Sequence, residues 1–253
     1  KIPFIILVGS LLATWCGGGG ITGSAGVVYT GGPWVGALAY AAPPIGIILL
    51  YFIAGRVRKT NKVTVPEIMG ARYGAAASVI SALCVMLAYV GVLATQLKAA
   101  ADILVLLCHS SGIEISHGVA LAICTVIIVI ITVGGGLVSV AYSDAVSALI
   151  MIGGFFLAIP FLIGVANSQG ATLPPEKASF TGGLSGWTLL GYFLPGLSLM
   201  LGDQNMLQRF ASAKNSDEAK KSNIGMFIGE ILVIISIVLV VTQAAKLYPT
   251  LDV

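Results

Sequence analysis

The stretch "ATWCGGGGITGSAG", residues 13–26, interrupts an apolar run from Ile2 to Tyr29 and decides how the chain is read. Each glycine in a helix interior costs about 1 kcal/mol relative to alanine. In hydrocarbon, a backbone group freed from its helix is costlier still. Four consecutive glycines, Gly17 to Gly20, near the centre of a membrane-length segment therefore demand a reason. One is packing: Gly19-x-x-x-Gly23 and Gly20-x-x-x-Ser24 are small-x-x-x-small patterns that let two helices approach closely. The other is a break. An unwound turn offers carbonyl oxygens to a cation and amide N–H groups to a solute, and its half-helix ends add their dipoles.

The membrane setting follows from composition. Hydrophobic residues make up 57% of the chain and charged residues 9%, against about 25% charged in a typical soluble domain. The expectation is an all-α integral membrane protein whose solvent is the lipid bilayer. Its net charge of +3 is then a statement about topology, with no nucleic-acid partner implied. Cys16, Cys84, Cys108 and Cys124 form no C-x-x-C pair and read as small buried hydrophobes. The chain opens on Lys1 at the edge of an apolar segment, with no cleavage context for a signal peptide. It reads as a fragment of a longer chain.

Spans of about 20 apolar residues fall at about 2–30, 34–55, 77–107, 118–134, 142–165, 187–208 and 223–245, seven in all. Pro43-Pro44 predicts a kink in the second. The third is overlong, so it is tilted or extends past the bilayer. Alternation puts the connections 56–76, 135–141 and 209–222 on one side. With Lys1 at its edge, that side carries ten Lys and Arg residues, against Lys177 and Lys246 on the other. The basic side is therefore expected to be cytoplasmic, in the plasma membrane, with loops 108–117 and 166–186 outside. His109, His117 and Glu114 in the first outer loop read as plain polar residues; the only metal expected is sodium.

The sixth span is interrupted too, by Pro195-Gly196 and Gly202-Asp203. A pair of broken segments in corresponding places is the best sequence pointer to a transport site. The first and sixth spans are five apart, the spacing of a five-helix repeat followed by an inverted copy. Catalysis is not expected: no nucleophile–base pair or His-Glu-x-x-His cluster is present, and both histidines lie at an aqueous loop.

Three motifs then resemble one family, the sodium:solute symporters. "SLLATWCGGGGITGSAGVVY" (10–29) is similar to that family's unwound first core helix. "GGGLVSVAYSD" (134–144) resembles its Gly-Gly-Leu-x-Ser signature followed by a hydroxyl–Asp pair, and "DQNMLQRFASAKN" (203–215) its Asp-Gln…Gln-Arg…Ala-Lys-Asn stretch. The resemblance implies an inverted-repeat fold of the leucine-transporter type, with about 1–165 as the first repeat and 187–253 as the start of the second. It also implies Na⁺-driven uptake of a small polar organic solute by alternating access, with Na⁺ as coupling ion and no organic cofactor. The remaining sodium ligands and carboxy-terminal helices of the family lie beyond Val253. A symporter-like sensor that binds a solute without moving it is the alternative.

By the same resemblance, the backbone carbonyls of Ala13 and Cys16 bind sodium. Asp144, which by spacing alone reads as a helix N-cap, lies on the sodium path or in a second sodium site. Trp15, Gly17, Gly20 and Gln96 face the substrate. The "ATW-GGG" and "SVAY-D" runs look closest to the choline-transporter branch, whose matching tryptophan belongs to an aromatic cage. The other cage positions hold Gln96 and Asp203 here, which speaks against choline; Trp15 has ordinary packing as its alternative reading.

The remaining intramembrane charges stay open. Lys98 and Asp102 are four apart on the third span, either a functional pair or a self-satisfied structural one. Asp203 and Arg209 flank the inner end of the sixth span and are expected to gate it, paired with each other or with loops. Glu230, deep in the last span, is either an ion or proton site or a hydrogen-bonded structural acid. Glu67, after Pro66, is expected to support a helix N-terminus.

Overall fold

The computed structural model describes residues 2–250, apart from the side chains of residues 137 and 138. Lys1, which was counted with the basic side, and Val253 lie outside the described residues. Among those described, the chain is helical throughout, with a single isolated parallel bridge between Ile2 and Ala213.

The first apolar run forms α1 (Phe4–Trp15) and α2 (Gly18–Gly31), bent by 56° at their junction. The second forms α3 (Pro33–Ala39) and α4 (Ala42–Thr60). The prolines do not kink its middle as expected. The helix is interrupted at Tyr40-Ala41, between α3 and α4, and Pro43 and Pro44 sit in the first turn of α4. The first backbone bond of α4 runs from the Ile45 N–H to the Ala41 carbonyl, 3.4 Å, so neither proline removes a needed donor. Asn61, at φ 54°, closes α4 in the left-handed region.

The short helix α5 (Val65–Tyr73) is capped at both levels. The Glu67 N–H donates to Thr64 Oγ1 at 3.2 Å, and the Glu67 carboxylate accepts from the Val63 N–H at 3.0 Å, the reciprocal pattern of a capping box. Glu67 thus has the structural role expected of it. Next, α6 (Ala75–Ser110) runs 36 residues, about 54 Å at 1.5 Å per residue, well beyond a hydrocarbon core of about 30 Å.

Residues 135–141 are not a connecting loop. One helical element, α7 (His117–Ser168), turns at Gly136, whose φ of 61° only glycine holds cheaply. Its arms are His117–Gly136 and Ser139–Ser168. Asp144 therefore lies inside the second arm and caps nothing. A 3₁₀ turn (Pro175–Ala178) leads to α8 (Gly186–Gly202), α9 (Gln204–Ser212) and α10 (Ser216–Leu247).

Five helices are long and apolar enough to cross a bilayer: α3–α4 together, α6, the two arms of α7, and α10; the bent α1–α2 pair makes a sixth. The sixth expected span, 187–208, is the 17-residue α8, unbroken at Pro195-Gly196, followed by a break and the polar α9. The outward faces of α6 and α7 are apolar, with Leu87 75% and Val133 82% exposed, as a hydrocarbon-embedded surface requires.

Around α1 the packing is tight. Leu7, Leu11, Ile47, Leu50, Met200, Met206, Phe210 and Met226, from α1, α4, α8, α9 and α10, form one buried cluster. Glycines set the approach distances: a Cβ on Gly9 would lie 2.7 Å from Ala145 Cα in α7, and one on Gly229 2.8 Å from Leu12. Side-chain bonds also tie the ends of the bundle. Arg58 Nε donates to the Ala213 carbonyl at 2.7 Å, and the Val65 N–H to Gln204 Oε1 at 2.7 Å, joining regions 56–76 and 204–216. At the other end Trp34 stacks on Phe180 at 5.8 Å, and Lys177 sits 4.1 Å above the Tyr29 ring.

A side chain at Gly9 meets backbone that cannot swing aside, and overpacking of this kind costs about 1–3 kcal/mol. Gly9→Leu is therefore expected to lower the thermal midpoint in detergent by at least a few degrees. Gly23→Leu, with nothing within 4 Å of its Cβ, should leave it unchanged. Fluorescence-detected gel filtration after heating measures both.

Candidate functional site

The last bond of α1 joins the Cys16 N–H to the Leu12 carbonyl at 2.8 Å, and the next in the ladder joins Ile21 to Gly17 at 3.0 Å. The carbonyls of residues 13–16 lie between these bonds, and that interval includes both Ala13 and Cys16. The unwound stretch is short: only Cys16 (φ −82°, ψ 46°) and Gly17 (φ −71°, ψ 165°) leave helical geometry. Gly18, Gly19 and Gly20 form the first turn of α2, so the break takes the first glycine of the run and leaves the other three helical.

The glycines serve packing as well. A Cβ on Gly17 would sit 2.4 Å from Gln96 Nε2, one on Gly18 3.4 Å from Ala99, and one on Gly19 3.1 Å from Thr95 Oγ1. This close approach lets Gln96 Oε1 accept the Gly19 N–H at 3.0 Å. The two readings of the run thus describe one feature: α6 comes close because the glycines allow it, and its Gln96 satisfies a donor that the break exposes. Gly20 faces open space beyond the Trp15 carbonyl.

The second break is a single residue. Asp203 (φ −66°, ψ 117°) ends α8 and caps α9, its Oδ1 accepting the Met206 N–H at 2.8 Å. Tyr89 of α6 spans the same gap, donating to Asp203 Oδ2 at 3.1 Å and accepting the Asn205 N–H at 3.1 Å. Both broken helices therefore border the same stretch of α6. Between them lies a cavity of about 380 Å³ whose lining includes Trp15, Cys16, Gly20, Tyr89, Gln96, Asp203 and Glu230. Trp15 also packs against the core cluster around α1, so its two readings coexist.

A second constellation lies one turn before Ala13. Arg209 Nη2 donates to Asp144 Oδ2 at 2.7 Å, Arg209 Nε to Ser10 Oγ at 2.8 Å, and Ser10 Oγ to Asp144 Oδ2 at 2.9 Å. The Arg209 and Asp144 side chains are 7% and 23% exposed. The triad joins α1, α7 and α9. Arg209 is thus paired with Asp144 inside α7, and not with Asp203 or a loop, the partners the sequence offered.

Lys98 and Asp102 are not at the cavity. Lys98 Nζ lies 2.8 Å from Asp102, whose other oxygen meets His117 Nε2 at 2.9 Å, all three substantially exposed. This is the self-satisfied pair, with His117 as a third member. What the sequence left unassigned is Glu230, 3% exposed, whose Oε2 accepts the Cys16 thiol at 3.2 Å. Tyr40, Tyr89 and Tyr192 also line the cavity and were not foreseen. Tyr89 was within reach of the sequence, since seven residues before Gln96 is two turns of helix and the same face.

Two broken helices facing one cavity in an apolar helical bundle define the class of secondary transporters. Comparison with known proteins makes this specific: the model of the sodium:solute symporter family matches residues 4–251, and the chain belongs to that family. It is 26% identical over 235 residues to the high-affinity choline transporter 1 of Drosophila melanogaster, covering 87% of this chain and 35% of that protein. It is 30% identical over 169 residues to the high affinity choline transporter 1 of Homo sapiens, covering 62% of this chain and 27% of that protein. The chain thus spans about a third of the length of the relatives it matches. The relatives are transporters rather than enzymes.

Removing one partner of a buried ion pair costs several kcal/mol, because the other charge stays behind in a poor solvent. Asp144→Ala and Arg209→Ala are each expected to lower stability by about 3 kcal/mol. The double variant should cost markedly less than the sum. Additive losses in detergent unfolding would show that the pair is not coupled.

Proposed function

We propose that this chain supplies the first part of a Na⁺-coupled symporter for a small polar organic solute, working by alternating access. The carrying observation is the shared cavity: both breaks open onto it, so one bound solute touches both hinged helices. The basic end, where 56–76 meets 204–216, faces the cytoplasm in this reading by its excess of Lys and Arg. The plasma membrane is its setting.

The carbonyls of Ala13 and Cys16, in the gap of the ladder, are the sodium-facing groups, with oxygen ligands suited to a hard cation. Asp144 serves sodium at one remove. Its two bonds to Ser10 and Arg209 both fall on Oδ2, which leaves its other oxygen on offer to an ion passing toward the basic end. Trp15, Gly20 and Gln96 bound the solute; Gly17 holds Gln96 in place rather than facing the solute itself. Asp203 and Arg209 serve as inner-gate charges through separate partners, Tyr89 and Asp144. Lys98 and Asp102 have no gating role in this account.

The test is uptake into proteoliposomes by the protein expressed with its full natural coding sequence. Labelled amino acids, carboxylates, sugars and amines are offered with and without an inward Na⁺ gradient. One solute is expected to accumulate only with the gradient, and Gly20→Leu, which fills the cavity, to abolish that uptake while membrane insertion persists. Accumulation indifferent to Na⁺ would refute the coupling. Binding without uptake under any gradient would favour the sensor alternative.

A further inference from the structure

We infer that the cavity takes a small organic cation that bears N–H groups and no carboxylate, a protonated primary or secondary amine, with Glu230 as its counter-charge. The inference rests on the cavity being the solute site proposed above.

Charge comes first. Among the described residues that line the cavity, the formally charged ones are Asp203 and Glu230, both acidic. Arg209, the nearest cation along α9, is committed to Asp144 and Ser10. A solute carboxylate would therefore meet two carboxylates and no cation of the cavity wall.

The helix N-termini point the same way. In a broken-helix site, the exposed N–H groups of a half-helix are the usual receptors for an anionic solute group. At the second break they are filled from within: Asp203 takes the Met206 N–H of α9 and Tyr89 takes that of Asn205. At the first, Gln96 takes the Gly19 N–H of α2. An amino acid or carboxylate loses its natural anchor at the second break and one donor of it at the first.

Glu230 is what remains to be matched. It is 3% exposed, with the Cys16 thiol, a weak donor, and the Trp15 side chain as its hydrogen-bonding neighbours and no cation beside it among the described residues. Burying a carboxylate without a counter-charge is costly, and an ammonium group supplies both charge and N–H donors. Asp203, by contrast, has each oxygen engaged, with Met206 and with Tyr89. The cavity also presents Trp15, Tyr40, Tyr89 and Tyr192, whose faces attract cations. Beside them the Glu230 carboxylate can accept a hydrogen bond, which a fully methylated ammonium cannot donate, and this decides the class.

The test uses the full-length protein in proteoliposomes with four labelled probes. They are ethanolamine (a primary ammonium), choline (the same skeleton fully methylated), glycine betaine (an ammonium with a carboxylate) and glucose. Binding is read by equilibrium dialysis and uptake with and without a Na⁺ gradient. Ethanolamine is expected to bind most tightly. Glu230→Gln should weaken ethanolamine binding roughly tenfold or more, the loss of one charge-assisted hydrogen bond, with the half-saturating Na⁺ concentration unchanged. Glu230→Asp should recover part of the affinity.

Preference for glycine betaine, glucose or choline overturns the inference. So does unaltered ethanolamine binding in Glu230→Gln, or a shift in Na⁺ activation alone, which would make Glu230 an ion ligand. If Glu230→Gln fails to run as a single species on gel filtration, the wild-type probe order decides. Ethanolamine bound but not accumulated under a Na⁺ gradient leaves this inference standing and removes the symporter reading instead.

Discussion

A backbone amide or carbonyl that leaves its helix inside a bilayer must find its partner in the protein, because no water is there to receive it. Much of the bundle follows from that constraint at Cys16-Gly17. The Gly19 N–H is met by Gln96, which requires α6 to lie against the break. That approach requires glycine at 17 and 19, where a Cβ would collide with Gln96 or crowd Thr95. Two turns earlier on the same face of α6, Tyr89 performs the corresponding service at Asp203. One long helix thus satisfies both interruptions, and the space between them becomes the cavity.

Midway along α1, at Ser10, a different economy holds. Arg209, Asp144 and Ser10 place an ion pair among apolar side chains, where its desolvation is repaid only by good geometry and a third hydrogen-bonding partner. Such a pair adds little net stability over an apolar filling. It does make the relative placement of α1, α7 and α9 specific, since any other arrangement strands a charge.

Much of this was legible from residues. Glycine in a row and a Gly-Asp in the sixth span mark breaks because each has a local physical cost, whereas Pro195-Gly196, read as a second interruption of that span, lies inside an unbroken α8. Other features were not, for reasons that are equally physical. Asp144 reads as a cap after Ser143, yet Gly136 turns the chain so economically that the helix has already restarted at Ser139. Pro43-Pro44 reads as a kink, but a proline pair is also a good helix start, and only tertiary packing chooses. Glu230 was visible as a lone acid, while its neighbour Cys16 lies 214 positions away, a distance no local pattern spans. The tyrosines around the cavity come from α6, α8 and the α3–α4 junction, and only Tyr89 shares a face with a residue already singled out.

Two halves of the broken helices, α1 and α9, are fastened together. Besides the triad, Ile2 pairs with Ala213 just after α9, its N–H on the Ser212 carbonyl at 3.4 Å. The other halves, α2 and α8, share no such fastening among the bonds described above. Two pivots, Gly17 and Asp203, therefore sit side by side beneath one yoke. If α1 swings about the first pivot, it drags α9 about the second or else tears a guanidinium from its carboxylate within the apolar core. α1 and α9 are thus tied to each other directly, by bonds that do not cross the cavity, so a displacement of either would have to carry or break the other's contacts.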